Sequence, residues 1–227
     1  MKLKLFIITL LAIMVAGCTL ETIPKPEQEE GKIVTISANI SPDTRVSYND
    51  GTRKLAWESG DKLLLAGYDA GGTYIDCAPF EYDGGNSFTG TEVKGADIYK
   101  AYYPAEAILL DNNGNVQLAD NFWQQTQSGN GTTAHLSKKL LLYDETANPL
   151  NQTFSLVLKS SIIRFDLTNV PQEVGTLSHI DWTEETATGV FKSMTLHVTG
   201  VTFSATNSSL TAYLSFDPAA MKIIAGG

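Results

Sequence analysis

Apolar residues are arranged in two ways along this chain. From Leu5 to Val15 they form one nearly unbroken run of about eleven residues, too short for a bilayer that needs about 20. Beyond residue 32 they come in short runs of β-branched and aromatic residues. The run Ile33-Val-Thr-Ile-Ser-Ala-Asn-Ile40 alternates and ends at Ser41-Pro42. Further runs are Leu63–Tyr68, Tyr99–Tyr103, Phe154–Leu158, Ile162–Leu167, Met194–Val198 and Leu210–Phe216. Period-two alternation puts successive side chains on opposite faces of a strand, so each run predicts a strand. Asn49-Asp-Gly51, Gly71-Gly72, Asp83-Gly-Gly85, Asn112-Asn-Gly114 and Gly129-Asn-Gly131 supply turn chemistry between them. No segment keeps a 3.6-residue period for three turns, and one short helix is expected near Ala134 to Leu142. Many short strands with glycine-rich turns predict an all-β chain built as β-sandwiches.

The first apolar run has its own meaning. Lys2 and Lys4 precede it, and Val15-Ala16-Gly17-Cys18 closes it. A positive start, an apolar middle and small residues read as a secretory signal over 1–17. A plain signal needs no thiol at its end, and Val-Ala-Gly-Cys resembles the bacterial lipobox. Cys18 is then the lipidated first residue of the mature chain, and several acyl chains at about 0.8 kcal/mol per buried CH₂ hold it on a membrane. The bland alternative is a secretion signal with an accidental cysteine. Residues 18–32 carry Pro24, Pro26 and four glutamates (Glu21, Glu27, Glu29, Glu30), which suits an extended tether. An acidic patch after a lipid cysteine also resembles an export signal to the outer face of the outer membrane.

The body divides, on this reading, near Asn169-Val-Pro171. Residues 33–169 suffice for one sandwich, whereas 170–227 hold fewer strands than a second needs, so the second is expected to be incomplete. The formal charge is −9, and two units more negative once Lys2 and Lys4 leave with the signal. An acidic chain repels phosphate backbones, so no nucleic-acid partner is expected. With Cys18 lipidated, Cys77 has no intramolecular disulfide partner and is expected to be a small buried residue on a strand.

Four local patterns resemble the Bacteroidales fimbrillin family, the Mfa-like lipoprotein subunits of type V pili. They are the lipobox and tether leading into Ile33–Ile40, Thr44-Arg45-Val46 followed by Trp57-Glu-Ser-Gly-Asp-Lys62, Tyr99-Lys-Ala-Tyr-Tyr-Pro104, and Leu158–Asn169. The last looks like the strand that closes the N-terminal domain. The resemblance implies a transthyretin-like, Greek-key sandwich as the N-terminal domain. It also implies that an arginine-specific, trypsin-like protease cuts between Arg45 and Val46, in a polar stretch open to proteolysis. The strand Ile33–Ile40, with Val34, Ile36 and Ala38 between its ends, would then leave with the tether and lipid. A strand from another fimbrillin subunit would fill the groove through main-chain hydrogen bonds and alternate side-chain pockets. Arg45 as an ordinary surface arginine is the alternative, and Arg53 and Lys54 are other tryptic sites. The family's donor strands come from a C-terminal region that this chain lacks. The implied setting is a surface-exposed outer-membrane lipoprotein, and a fimbrium after processing.

Residues that would carry other chemistry are poorly arranged for it. Trp57 before Gly60-Asp61 suits a core aromatic beside a tight corner. Tyr102 and Tyr103 should face opposite sides of a strand that Pro104 ends as at an edge. Arg164 should point outward or pair across its sheet. Asp111-Asn-Asn-Gly-Asn115 has oxygens at positions one, three and five, but it lacks the glycine and closing glutamate of a calcium loop, so a turn is expected and no metal. His135, His179 and His197 show no paired ligand spacing, and no Gly-x-Ser-x-Gly elbow or phosphate loop is present. Neither an enzyme nor a cofactor is expected. The rival function is a permanently anchored, monomeric lipoprotein that binds glycan, with Trp57, Trp123 and Trp182 beside Asn- and Gln-rich loops as its stacking platform.

Overall fold

The computed structural model describes residues 31–40, 56–185 and 191–216, with backbone alone over 182–185 and 191–193. Residues 31–227 make one compact unit. In chain order the strands are β1 (Ile33–Ile40), β2 (Lys62–Tyr68), β3 (Tyr74–Gly84), β4 (Ser87–Thr91), β5 (Ile98–Tyr103), β6 (Ile108–Leu110) and β7 (Val116–Leu118). There follow β8 (Gln125–Ser128), β9 (Leu142–Asn148), β10 (Thr153–Leu158), β11 (Ser161–Leu167), β12 (His179–Glu185), β13 (Phe191–Thr199) and β14 (Leu210–Phe216). The protein is all-β, as the alternating runs predict. The helix expected near Ala134 is a single 3-10 turn, Ala134–Leu136.

Seven strands form a closed barrel in the order β1-β10-β9-β5-β2-β3-β4, with β4 returning to β1. Where a sandwich would leave two open sheets, hydrogen bonding here runs all the way round. Closure removes the free edges that would otherwise invite pairing with other chains. Inside lie Ile36 and Ala38 of β1, Leu63 and Leu65 of β2, Phe80, Phe88, Tyr103, Phe154 and Leu156. β2 is a nearly continuous apolar run because both its faces are covered. Leu63 and Leu65 face the barrel interior. Leu64, Ala66 and Tyr68 join a second cluster outside it, with Tyr102, Ile108 of β6 and Phe122. Tyr102 and Tyr103 thus face opposite clusters, as alternation requires. Their strand is not an edge, since β5 lies between β2 and β9, and Pro104 merely ends it.

The remaining strands form a two-stranded sheet β11-β14, a three-stranded sheet β12-β13-β8 and the hairpin β6-β7. A third core, with Leu196, Val198, Phe203, Leu210, Ala212 and Leu214, draws on β13 and β14. The expected division at 169/170 falls between β11 and β12. β11, expected to close the N-terminal domain, pairs with β14; its Ile162 packs on the barrel core and its Phe165 and Leu167 on the third core. From the other side of the division, β8 pairs in parallel with β13. Arg164 is half-exposed and bonds Asp166 two residues along its own strand. Cys77 is a half-buried free thiol on β3.

Candidate functional site

The site is the slot that β1 occupies. Its residues alternate strictly: Ile36 and Ala38 are buried, Val34 and Ile40 half-buried, and those between them exposed. Ile33, counted with the departing strand, points to solvent at 73% exposure, so the inward stripe is Val34, Ile36, Ala38 and Ile40.

Backbone pairing holds β1 on both sides. It runs antiparallel to β4, from Ile33 opposite Thr91 to Ser37 opposite Ser87. It runs parallel to β10, from Ser37 opposite Thr153 to Ile40 opposite Leu156. Two bonds extend the pairing: Ala38 donates its N–H to Asn86 O at 2.8 Å, and Glu92 N–H donates to Lys32 O at 3.0 Å. On the outer face the hydroxyls of Thr35 and Thr89 lie 2.9 Å apart. Gly90 sits between Val34 of β1 and Phe80 of β3, where a Cβ would come within 2.7 Å of the Phe80 ring. Only glycine lets that ring close over the strand.

A polar corner anchors the far end of the 41–55 link. Trp57 is buried, and its indole Nε1–H donates to Ala38 O at 3.0 Å. Its ring meets Phe88 and Tyr103 edge-on, at 4.9 and 5.5 Å between centroids. Gly60 adopts φ +89° in the turn that follows, and Asp61 N–H donates to Glu58 O. The Asp61 carboxylate accepts from Glu58 N–H at 2.7 Å and from Tyr103 O–H at 2.8 Å. Burial holds the Asp61 carboxyl above the usual carboxylate range, although both hydrogen bonds oppose that shift. Burial, reinforced by Asp61, also pushes the Tyr103 hydroxyl upward. Both ends of the 41–55 link are therefore tied to β1: one by the chain itself, the other by an indole.

Sequence reasoning misses Asp144, whose residue is buried where β9 and β10 diverge. Its carboxylate accepts from Ser155 N–H of β10 at 2.8 Å and from Thr146 N–H at 3.0 Å, standing in for absent strand pairing. No pattern in Leu142–Asn148 announces this role. Asp111 accepts from the Asn115 side-chain amide and from Asn115 N–H and Asn113 N–H, which closes its loop as a turn and holds its carboxyl below the usual range.

Cys18, Arg45, Val46, Arg53 and Lys54 lie outside the described residues, so what is described of the expected site is β1 and its slot. The glycan platform loses one member here. Trp57 is 7% exposed and its ring faces the core, so it offers no face to a sugar. Trp123 is half-buried against Phe122, edge-on at 4.6 Å, and the side chain of Trp182 is among those not described.

No protein-family model matches this chain, and no curated protein matches it. Two solved structures are similar to it, both fimbrial proteins from Bacteroidales. One is a fimbrial protein from Bacteroides ovatus ATCC 8483, at 14% identity and a TM-score of 0.37, over 81% of this chain and 45% of that one. The other is the fimbrial anchor protein Mfa2 from Porphyromonas gingivalis, at 12% identity and a TM-score of 0.32, over 85% of this chain and 74% of that one. The chain thus spans less than half the length of the first of these neighbours.

Proposed function

We propose that this chain is a fimbrillin-like surface lipoprotein, a non-enzymatic structural subunit joined to its neighbours by strand exchange. Cys18 carries the lipid that delivers it to the outer membrane. An arginine-specific protease cuts after Arg45, and β1 then leaves with the tether and lipid. A strand from another subunit enters between β4 and β10.

One observation carries this reading. β1 is paired on both sides and supplies an inward apolar stripe, yet its only covalent link to the rest of the barrel runs through 41–55. Its partners lie about fifty residues away on one side and more than a hundred on the other. Cutting that link turns an intramolecular strand into a bound peptide, which loses the effective-concentration advantage of tethering. The fimbrillin-like motifs around Arg45 and Trp57 support the same reading.

Low-dose trypsin on the purified lipoprotein tests it. The reading expects a clean cut after Arg45, loss of the fragment ending at Arg45, and capture of an added peptide with the β1 sequence by the emptied slot. A clean cut with β1 gone and no capture of the peptide contradicts strand exchange through this slot.

A further inference from the structure

β14 has one strand partner, β11, among the described residues. In an antiparallel pair alternate residues bond to the partner, and the residues between them point away. On β14 the outward set is Thr211, Tyr213 and Ser215. Their groups meet side chains rather than another strand, and Thr211 O also accepts from the Gly131 backbone N–H at 2.9 Å. Gln125 on β8 brackets Ser215: its Nε2 donates to Ser215 O at 2.6 Å and its Oε1 accepts from Ser215 N–H at 3.0 Å. Gln127 bridges the next two residues, with Nε2 donating to Thr211 O at 2.9 Å and Oε1 accepting from Tyr213 N–H at 3.0 Å. Asn130 continues the series, with Oδ1 accepting from Thr211 N–H at 2.8 Å and Nδ2 donating to Ser209 O at 3.3 Å. The ring Nε2 of His135 donates to the remaining carbonyl, Tyr213 O, at 2.8 Å.

The match has a simple geometric cause. A primary amide presents one donor and one acceptor side by side, as the edge of a strand does. Residues two apart on β8 repeat at roughly 6.6–7 Å, which is also the repeat of the outward groups on β14. Gln125 and Gln127 are 1% and 0% exposed, a costly place for an amide unless each of its groups is satisfied. Apolar side chains would pack there more cheaply but would leave the β14 edge open.

We propose that Gln125, Gln127 and Asn130 form a surrogate strand that seals the β14 edge against strand addition by a second copy of this chain. The copy is the relevant intruder because the chain carries alternating strands such as β1. One face of β14 already buries Leu210, Ala212 and Leu214, an apolar surface that an incoming alternating strand would extend. The seal stands whether or not β1 is exchanged. Where β1 is exchanged, the seal keeps an incoming strand out of the seam between β8 and β14.

The test is the pair Gln125→Met and Gln127→Met in the full chain, which keeps side-chain length and removes both amides. The expected result is native-like circular dichroism, concentration-dependent self-association by light scattering, and amide hydrogen exchange at Tyr213 and Ser215 at least about fivefold faster in the monomer, the loss of one hydrogen bond each. A double variant that stays monomeric at every concentration overturns the proposal, even if those amides exchange faster. Should the double variant fail to fold, Asn130→Ala at the exposed end of the ladder decides. Self-association together with faster exchange at Thr211 supports the seal, and a monomer overturns it.

Discussion

Ile36→Ala separates a structural strand from a decorative one. Ile36 is 2% exposed, on the inward face of β1, in one core with Phe88 of β4 and Phe154 of β10. Truncating a buried isoleucine to alanine costs about 2–5 kcal/mol, the spread depending on how far the site collapses. The neighbours here are aromatic rings on the two strands that flank the slot, which refill poorly, so about 3 kcal/mol is expected. For a chain of this size each kcal/mol moves Tm by about 2–4 °C, which gives a fall of roughly 6–12 °C. Ile33→Ala removes a residue of the same type three positions away, but at 73% exposure, and should change stability by less than about 0.5 kcal/mol. The assay is thermal unfolding followed by circular dichroism, with amide hydrogen exchange across residues 33–40 as the local readout. Ile36→Ala should accelerate exchange along β1 more than along β2. Equal Tm values for the two variants would refute the claim that β1 is held by its inward stripe.

The remaining predictions concern buried polar groups. Tyr103→Phe removes the O–H donor to Asp61 Oδ1 and should cost about 1–3 kcal/mol at neutral pH by urea denaturation. A carboxyl held above its unfolded value keeps a proton that the unfolded chain releases, so its ionisation costs stability as pH rises through the folded value. The lost bond favoured the charged form, so the variant's deficit should shrink as pH falls from 7.5 toward 4.5, and a deficit constant with pH would count against this pairing. Burial holds His135 below the usual histidine value, and its ring Nδ1 has no hydrogen-bond partner among the described residues. Its folded value being depressed, its contribution is present above about pH 6.5 and is lost as pH falls through that region. His135→Gln, which keeps a donor for Tyr213 O, should flatten stability between pH 7.5 and 5, and an unchanged slope would exclude His135 as the source.

Much of the fold is legible in the sequence wherever a strand has one wet face or two dry ones. The expected Ile33–Ile40 and Leu210–Phe216 coincide with β1 and β14, and β2, β5, β10 and β11 gain one residue at the start. β3 escapes notice because Asp76, Pro79, Glu81 and Asp83 break its apolar pattern. A proline within a run argues against a central strand, yet Pro79 sits opposite Leu64 on the outer face of β3, a strand paired on both sides. β4, Ser87–Thr91, is hidden by small residues, and its Gly90 is selected by the Phe80 ring rather than by strand propensity. Barrel closure depends on the parallel contact between β1 and β10, over a hundred residues apart, which no local pattern reports. The same holds for the site. Trp57 reads as a core aromatic, but its bond to Ala38 O becomes visible only once the barrel brings them together. Gln125-Thr-Gln127 has a strand's alternation with amides where apolar residues belong, and that mismatch was the available sign of the ladder.

The central claim is that β1 must leave its slot for subunits to join. Thr35 and Thr89 face each other across β1 and β4 with hydroxyls 2.9 Å apart, close enough for Thr35→Cys and Thr89→Cys to form a disulfide that locks the strand in place. The doubly substituted protein is cut with an arginine-specific protease, and capture of an added labelled peptide with the β1 sequence is followed by fluorescence anisotropy with and without reductant. The account predicts no capture while the lock is closed and capture once it is reduced. Equal capture in both states, or none in either, would contradict it.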